Sequence, residues 1–199
     1  PEATIFVQTI AGGYGIMGFF MGHDRLKKLG ISPSDYKVPR IVAVQAEDNC
    51  TIANGIKVGK ENLSESDLIL PSLPFENTLQ STNPLSTFTQ VKNCLEKTNG
   101  SIVVASLEDI NLTKDFFENA MLSYDIQISF KNEKSPYISF AGLLKLAKER
   151  KITSEDIIYM VVTGKGCNES KTPNPEAIVK PTNEGYKIKS SSDYLRRLL

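Results

Sequence analysis

The sequence predicts an α/β fold: a three-layer α/β/α arrangement built on a mainly parallel sheet. Three observations lead there. Four short segments rich in β-branched residues stand well apart along the chain, each bounded by Gly, Pro or polar residues. Helical patterns fill the intervals, and strands joined through helices pair in parallel. The first strand also runs directly into a glycine cluster that opens an apolar helix.

The elements follow in chain order. Residues 4–7 predict the first strand. Residues 18–29 carry apolar side chains at helical spacing and stop at Gly30, suited to the turn beyond a helix end. Residues 40–45 predict the second strand, and residues 48–58 a helix entered at Asp48 or Asn49. Residues 59–84 are polar and punctuated by Pro71, Pro74 and Pro84, which predicts a long surface excursion. Residues 87–98 form an amphipathic helix ending at Asn99-Gly100, and residues 101–105 the third strand. Residues 112–123 follow Asn111 and predict a helix that buries Phe116, Phe117, Ala120 and Met121. Residues 139–150 predict a helix with Phe140, Leu143, Leu144 and Ala147 on one face and Lys145, Lys148, Glu149 and Arg150 off it. Residues 157–162, Ile-Ile-Tyr-Met-Val-Val, read as a buried fourth strand. Residues 1–170 thus form one α/β domain. Residues 171–199, rich in Lys, Ser, Pro and Asn, form a polar extension in which residues 193–199 are patterned as a terminal helix.

Bulk composition narrows the function. Lys+Arg and Asp+Glu both total 23, so the formal charge is zero. That balance argues against a nucleic-acid or membrane-surface role. No apolar run approaches the roughly 18–20 residues of a membrane span. Residues 1–8 lack a basic start and a cleavable apolar core, so no signal peptide is expected and the chain reads as cytoplasmic. Cys50, Cys94 and Cys167 are far apart and in no metal-ligand spacing, as expected of free thiols in a reducing compartment. His23 is the only histidine. A histidine-rich metal site is therefore excluded, no metal ligands are expected, and a Ser-His-Asp triad could form only around His23.

The run Ala11-Gly12-Gly13-Tyr14-Gly15 is the most informative. Strand, glycine loop and helix N-terminus together expose backbone amides at a positive dipole end, an arrangement that binds phosphate. The same run also serves as an ordinary tight strand-to-helix connection. A second cluster is Thr163-Gly164-Lys165-Gly166, after the fourth strand. A hydroxyl at the carboxyl end of a central parallel strand stands where open α/β sheets take ligands. Thr163 can meet a ring nitrogen there, or bond local backbone in a turn. A third segment, residues 134–142, offers Ser135 or Ser139 as an N-cap, with small residues facing either a cofactor or the sheet.

In this order and spacing, over residues 3 to about 169, these segments resemble the C-terminal half of a fold-type II pyridoxal-phosphate enzyme. This is the tryptophan-synthase-β-like family, and within it the chain is most similar to threonine synthase and cysteate synthase. Three features carry the resemblance: the loop Gly12-Gly13-Tyr14-Gly15, the segment Val38-Pro39-Arg40-Ile41-Val42-Ala43-Val44-Gln45-Ala46-Glu47, and the ending Val161-Val162-Thr163-Gly164-Lys165-Gly166. The resemblance implies pyridoxal 5'-phosphate as cofactor. Ala11, Gly12, Gly13, Tyr14 and Gly15 would hold its phosphate, and Thr163 would meet its ring nitrogen. It implies elimination and replacement on a small phosphorylated amino acid in amino-acid biosynthesis, with water or sulfite adding, and it leaves a homodimer open.

The departure from the family is as informative. The family's Schiff-base lysine, followed by an asparagine, lies in the first half of its members, and nothing in this sequence matches it. No catalytic residue is therefore assigned to this chain. Lys165, in a glycine turn, has no such role by the resemblance. The chain is expected to be a fragment, inactive alone and partnered by the missing N-terminal half. The alternative is a non-catalytic module holding a phosphate ligand or a partner. A nucleotide-binding domain fits less well: Gln45 and Glu47 fall some 30 residues past the loop, where a ribose-binding acid is expected about 20 on. A carboxylate introduced by Gly13→Asp is expected to abolish phosphate binding and leave the fold intact.

Overall fold

The computed structural model describes residues 2–32, 36–69, 75, 76, 79, 84–125, 133–163, 177–182 and 185–190. The chain divides into two units, Pro1–Gly166 and Cys167–Leu199.

In the first unit, period-2 alternation builds a four-stranded sheet. Its strands are β1 (Ile5–Thr9), β2 (Arg40–Ala46), β3 (Ser101–Ala105) and β4 (Ile158–Met160), in the order β3-β2-β1-β4. All three pairings are parallel, in the registers Ile5↔Arg40, Val42↔Ser101 and Ile5↔Ile158. Successive side chains face opposite sides of a strand, so each strand serves two cores. Ile5, Val7, Val42, Val44 and Val103 pack on one face with α4 (Leu107–Leu122) and α5 (Ser135–Lys148). Phe6, Ile10, Ile41 and Ala43 pack on the other with Ile16 of α1 (Tyr14–Lys28), Ile52 of α2 (Thr51–Lys57), and Phe88, Val91 and Leu95 of α3 (Phe88–Lys97). The three-layer α/β/α class expected from the sequence is thus the one observed.

Helix starts depart from the expected ones, each for a local reason. Gly13, left-handed at φ +83°, is the N-cap of α1, which therefore begins one turn earlier than residue 18. The predicted helix at 48–58 is a short 3-10 turn, Glu47–Asn49, followed by α2. α4 begins at Leu107 because the Ser106 hydroxyl accepts the Asp109 amide at 3.0 Å, an N-cap upstream of Asn111. That longer helix buries Ile110 and Phe117 and leaves Phe116 64% exposed. α5 starts at Ser135, with Pro136 in its first turn, where a missing amide hydrogen costs nothing. Its buried face is Tyr137, Ile138, Ala141, Leu143 and Leu146, and Ala147 is exposed.

The largest correction concerns the fourth strand. Residues 157–162 read as a central buried strand, yet β4 lies at the sheet edge with Ile157, Ile158, Tyr159 and Val162 exposed. The opposite edge is defended: the Lys145 ammonium donates to the Val104 carbonyl of β3 at 3.0 Å, the usual way of blunting an edge.

The second unit holds an antiparallel hairpin, β5 (Ala177–Thr182) and β6 (Gly185–Ser190), where the sequence suggested no strand. The terminal helix expected at residues 193–199 lies outside the described residues, as do Gly164, Lys165, Gly166 and Cys167. Among the described residues, no helix is long and apolar enough to cross a membrane.

Candidate functional site

In a parallel sheet all strands point their carboxyl ends at one edge, and ligands collect there. β1 and β4 are neighbours. Their register continues past Met160 through the Val161 amide, which donates to the Val7 carbonyl at 3.0 Å. Thr163 follows the last residue of β4 by three positions, as Ile10 follows the last residue of β1 by one. The glycine loop and Thr163 therefore leave adjacent strands at the same edge. Thr163 is exposed, and its hydroxyl has no bond to another described residue.

The loop runs from buried to exposed backbone. Gly12 and Gly13 are buried, Ala11 is half-buried, and Tyr14 and Gly15 are exposed. The first helical bond of α1 runs from the Met17 amide to the Gly13 carbonyl at 3.1 Å. The amides of Tyr14, Gly15 and Ile16 precede it and have no acceptor within the helix. No side chain caps this end and no acidic residue occupies its first turn. The helix dipole adds a partial positive charge at the same place. These features suit a phosphate group, and they require no basic side chain.

Glycine is required at Gly13. A Cβ there would run into the Val91 side chain, on a backbone already left-handed. Gly13→Asp would therefore disturb the fold, contrary to the sequence-based expectation. Gly15 differs: its Cβ would meet only the end of the Gln8 carboxamide, 2.5 Å from Oε1, which can swing away. Gly15 is thus the position at which the loop can be altered cleanly.

Three contacts hold the loop in place. The Ile10 amide donates to the Val44 carbonyl at 2.9 Å. The Thr9 hydroxyl donates to the Ser135 carbonyl at 2.6 Å and lies 2.6 Å from the Ser139 hydroxyl. The Gln45 carboxamide donates to the Ala11 carbonyl at 3.4 Å and accepts the Ala53 amide at 2.9 Å. Neither serine is the N-cap of α5; that position is Lys134, without a side-chain cap. Sequence reasoning assigned no role to Thr9 or Gln45. The available signal was polarity: each is a polar residue near the carboxyl end of a mostly apolar strand, and each is buried.

Acidic side chains near this edge are engaged by backbone amides. Glu47 accepts from Leu107 at 2.9 Å, Asp48 from Phe75 at 2.5 Å and Glu76 from Lys134 at 2.9 Å. Burial pushes the Cys50 and Cys94 thiols up in pKa, away from the reactive thiolate. His23 packs edge-on to Phe19 and stacks on Tyr36 rather than joining a triad. Among the described residues, no group of three His, Cys, Asp or Glu could hold a metal ion.

No family profile and no curated protein sequence matches this chain. Solved structures similar to it include the following two. One is a threonine deaminase from T.th., at 14% identity and TM-score 0.47, the match covering 82% of this chain and 49% of that one. The other is maize serine racemase, at 21% identity and TM-score 0.48, covering 82% of this chain and 44% of that one. The chain thus spans about half the length of each.

Proposed function

We propose that this chain is the phosphate-holding and ring-holding half of a pyridoxal-phosphate-dependent enzyme. The enzyme acts on an O-phospho amino acid by elimination and replacement, in the manner of threonine synthase or cysteate synthase. One observation supports the reading: the uncapped first turn of α1 and the exposed Thr163 both follow the carboxyl ends of adjacent parallel strands, β1 and β4.

The roles follow from chemistry. The amides from Gly12 to Ile16 bind the phosphate, each contributing roughly 1.5–3 kcal/mol as a hydrogen bond to a charged group. The Thr163 hydroxyl bonds the ring nitrogen as a neutral group and, unlike a carboxylate, does not hold a proton there. When bound, the cofactor supplies an electron sink for carbanion chemistry. The Schiff-base lysine comes from a companion segment that covers the exposed apolar edge of β4.

Equilibrium dialysis against pyridoxal 5'-phosphate tests the loop. Wild type binds, and Gly15→Asp loses at least about tenfold in affinity with its thermal midpoint unchanged. Equal binding by the two proteins contradicts the assignment. Borohydride treatment tests the companion: the chain alone forms no reducible adduct, and an adduct at Lys165 would overturn that part of the reading.

A further inference from the structure

We infer that Gln45 is the positioning residue of the loop, the group that turns its amides toward the anion; the inference rests on the loop being an anion cradle. Gln45 is the penultimate residue of β2 and only 1% exposed. Its orientation is fixed by its acceptor: Oε1 takes the Ala53 amide at 2.9 Å. Ala53 is the third residue of α2, whose N-cap, Cys50, offers no side-chain bond. An amide there lacks a helical partner, so Gln45 caps α2. With Oε1 committed, Nε2 is left to donate, and it reaches the Ala11 carbonyl at 3.4 Å.

A trans peptide points its carbonyl and its N–H in opposite directions. Holding the Ala11 carbonyl toward β2 therefore directs the Gly12 amide away from β2. The position needs a donor and an acceptor on one short planar group. Glutamine supplies both, a carboxylate supplies only acceptors, and a protonated carboxyl again supplies both.

Gln45→Glu is the test, with sulfate as the probe because its charge is constant across the range used. Sulfate affinity is measured by equilibrium dialysis from about pH 8 down to about pH 5, each value taken as a ratio to wild type at the same pH. Glu47 and Asp48, the neighbouring carboxylates, hold the same backbone amides in both proteins and cancel in the ratio. The ratio is expected to be at most about one tenth at high pH and to climb toward one as the introduced carboxyl gains its proton. Gln45→Met, which lacks both groups, should show the high-pH deficit at every pH; it keeps the inference testable if the glutamate variant does not fold. A Gln45→Glu ratio near one throughout, a deficit that does not change with pH, or wild-type affinity in Gln45→Met overturns the inference. Failure of wild type to bind sulfate or pyridoxal 5'-phosphate overturns the reading of the loop instead.

Discussion

Thr9 and Ser139 join the end of β1 to the second turn of α5 through hydroxyls 2.6 Å apart. The direction of that bond is determined. Thr9 has one hydroxyl hydrogen, and it goes to the Ser135 carbonyl, which can only accept. Ser139 therefore donates to Thr9. Both hydroxyls are buried, so the pair anchors the last strand residue before the glycine loop.

Thr9→Val removes the shared hydroxyl, taking a second partner from the Ser135 carbonyl and the acceptor from the buried Ser139 hydroxyl. A loss of about 1–3 kcal/mol is expected in urea unfolding. Ser139→Ala in the same background should cost less than it does alone, because its partner is already gone. Strict additivity of the two losses would show that the hydroxyls do not interact.

Gly13→Ala is expected to destabilise for two reasons. An L residue in the left-handed region costs roughly 1–2 kcal/mol, and the added methyl meets the fully buried Val91 side chain. Truncating Val91 to Ala in the same chain should return the steric part and leave the backbone part. Urea unfolding of the single and double variants measures both. A Gly13→Ala protein as stable as wild type would rule out the left-handed cap.

His23 makes stability fall in mild acid. Its Nδ1 is buried without a hydrogen-bond partner among the described residues, and burial holds its pKa below the ordinary 6.5. The unfolded chain takes up a proton from about pH 6.5 downward, while the folded chain resists it until lower pH. Stability is therefore complete above that value and declines as pH falls toward the folded pKa. His23→Phe keeps a ring between Phe19 and Tyr36 and should flatten this decline between pH 7 and 5.5. Thermal midpoints that drop equally in both proteins would assign the effect elsewhere.

β4 exposes Ile158 at 39% and Tyr159 at 59% on an edge strand paired only with β1 among the described residues. Exposed apolar residues on an unpaired edge invite pairing with other chains. Sedimentation velocity should show the isolated chain associating as concentration rises. Ile158→Lys should reduce that association with a stability change within about 0.5 kcal/mol. Unchanged association would place the adhesive surface elsewhere.

The edge position of β4 also marks a limit of sequence reading. Residues 157–162 carry the composition of a strand buried on both faces, and composition cannot say which neighbours a chain has. The parallel order was legible because strands and helices alternate, and the loop was legible because its glycines are local. Helix starts were less so. Residues 14–17 form the first turn of α1 because Gly13 takes a left-handed conformation, and glycine tolerates that conformation without announcing it. Ser106-x-x-Asp109 is a capping pattern that was readable but stood beside the competing cap at Asn111. Long-range partners were illegible in principle. Nothing in the sequence links Gln45 to Ala11, 34 positions away, or Thr9 to Ser139, 130 positions away.

The most direct test of the central claim is a backbone amide NMR titration of the chain with pyridoxal 5'-phosphate. The signals of Gly12, Gly13, Tyr14, Gly15 and Thr163 should move together along one saturable curve, because a single molecule bridges the ends of β1 and β4. Movement of the loop signals with Thr163 unchanged, or no saturable movement in either group, would contradict it.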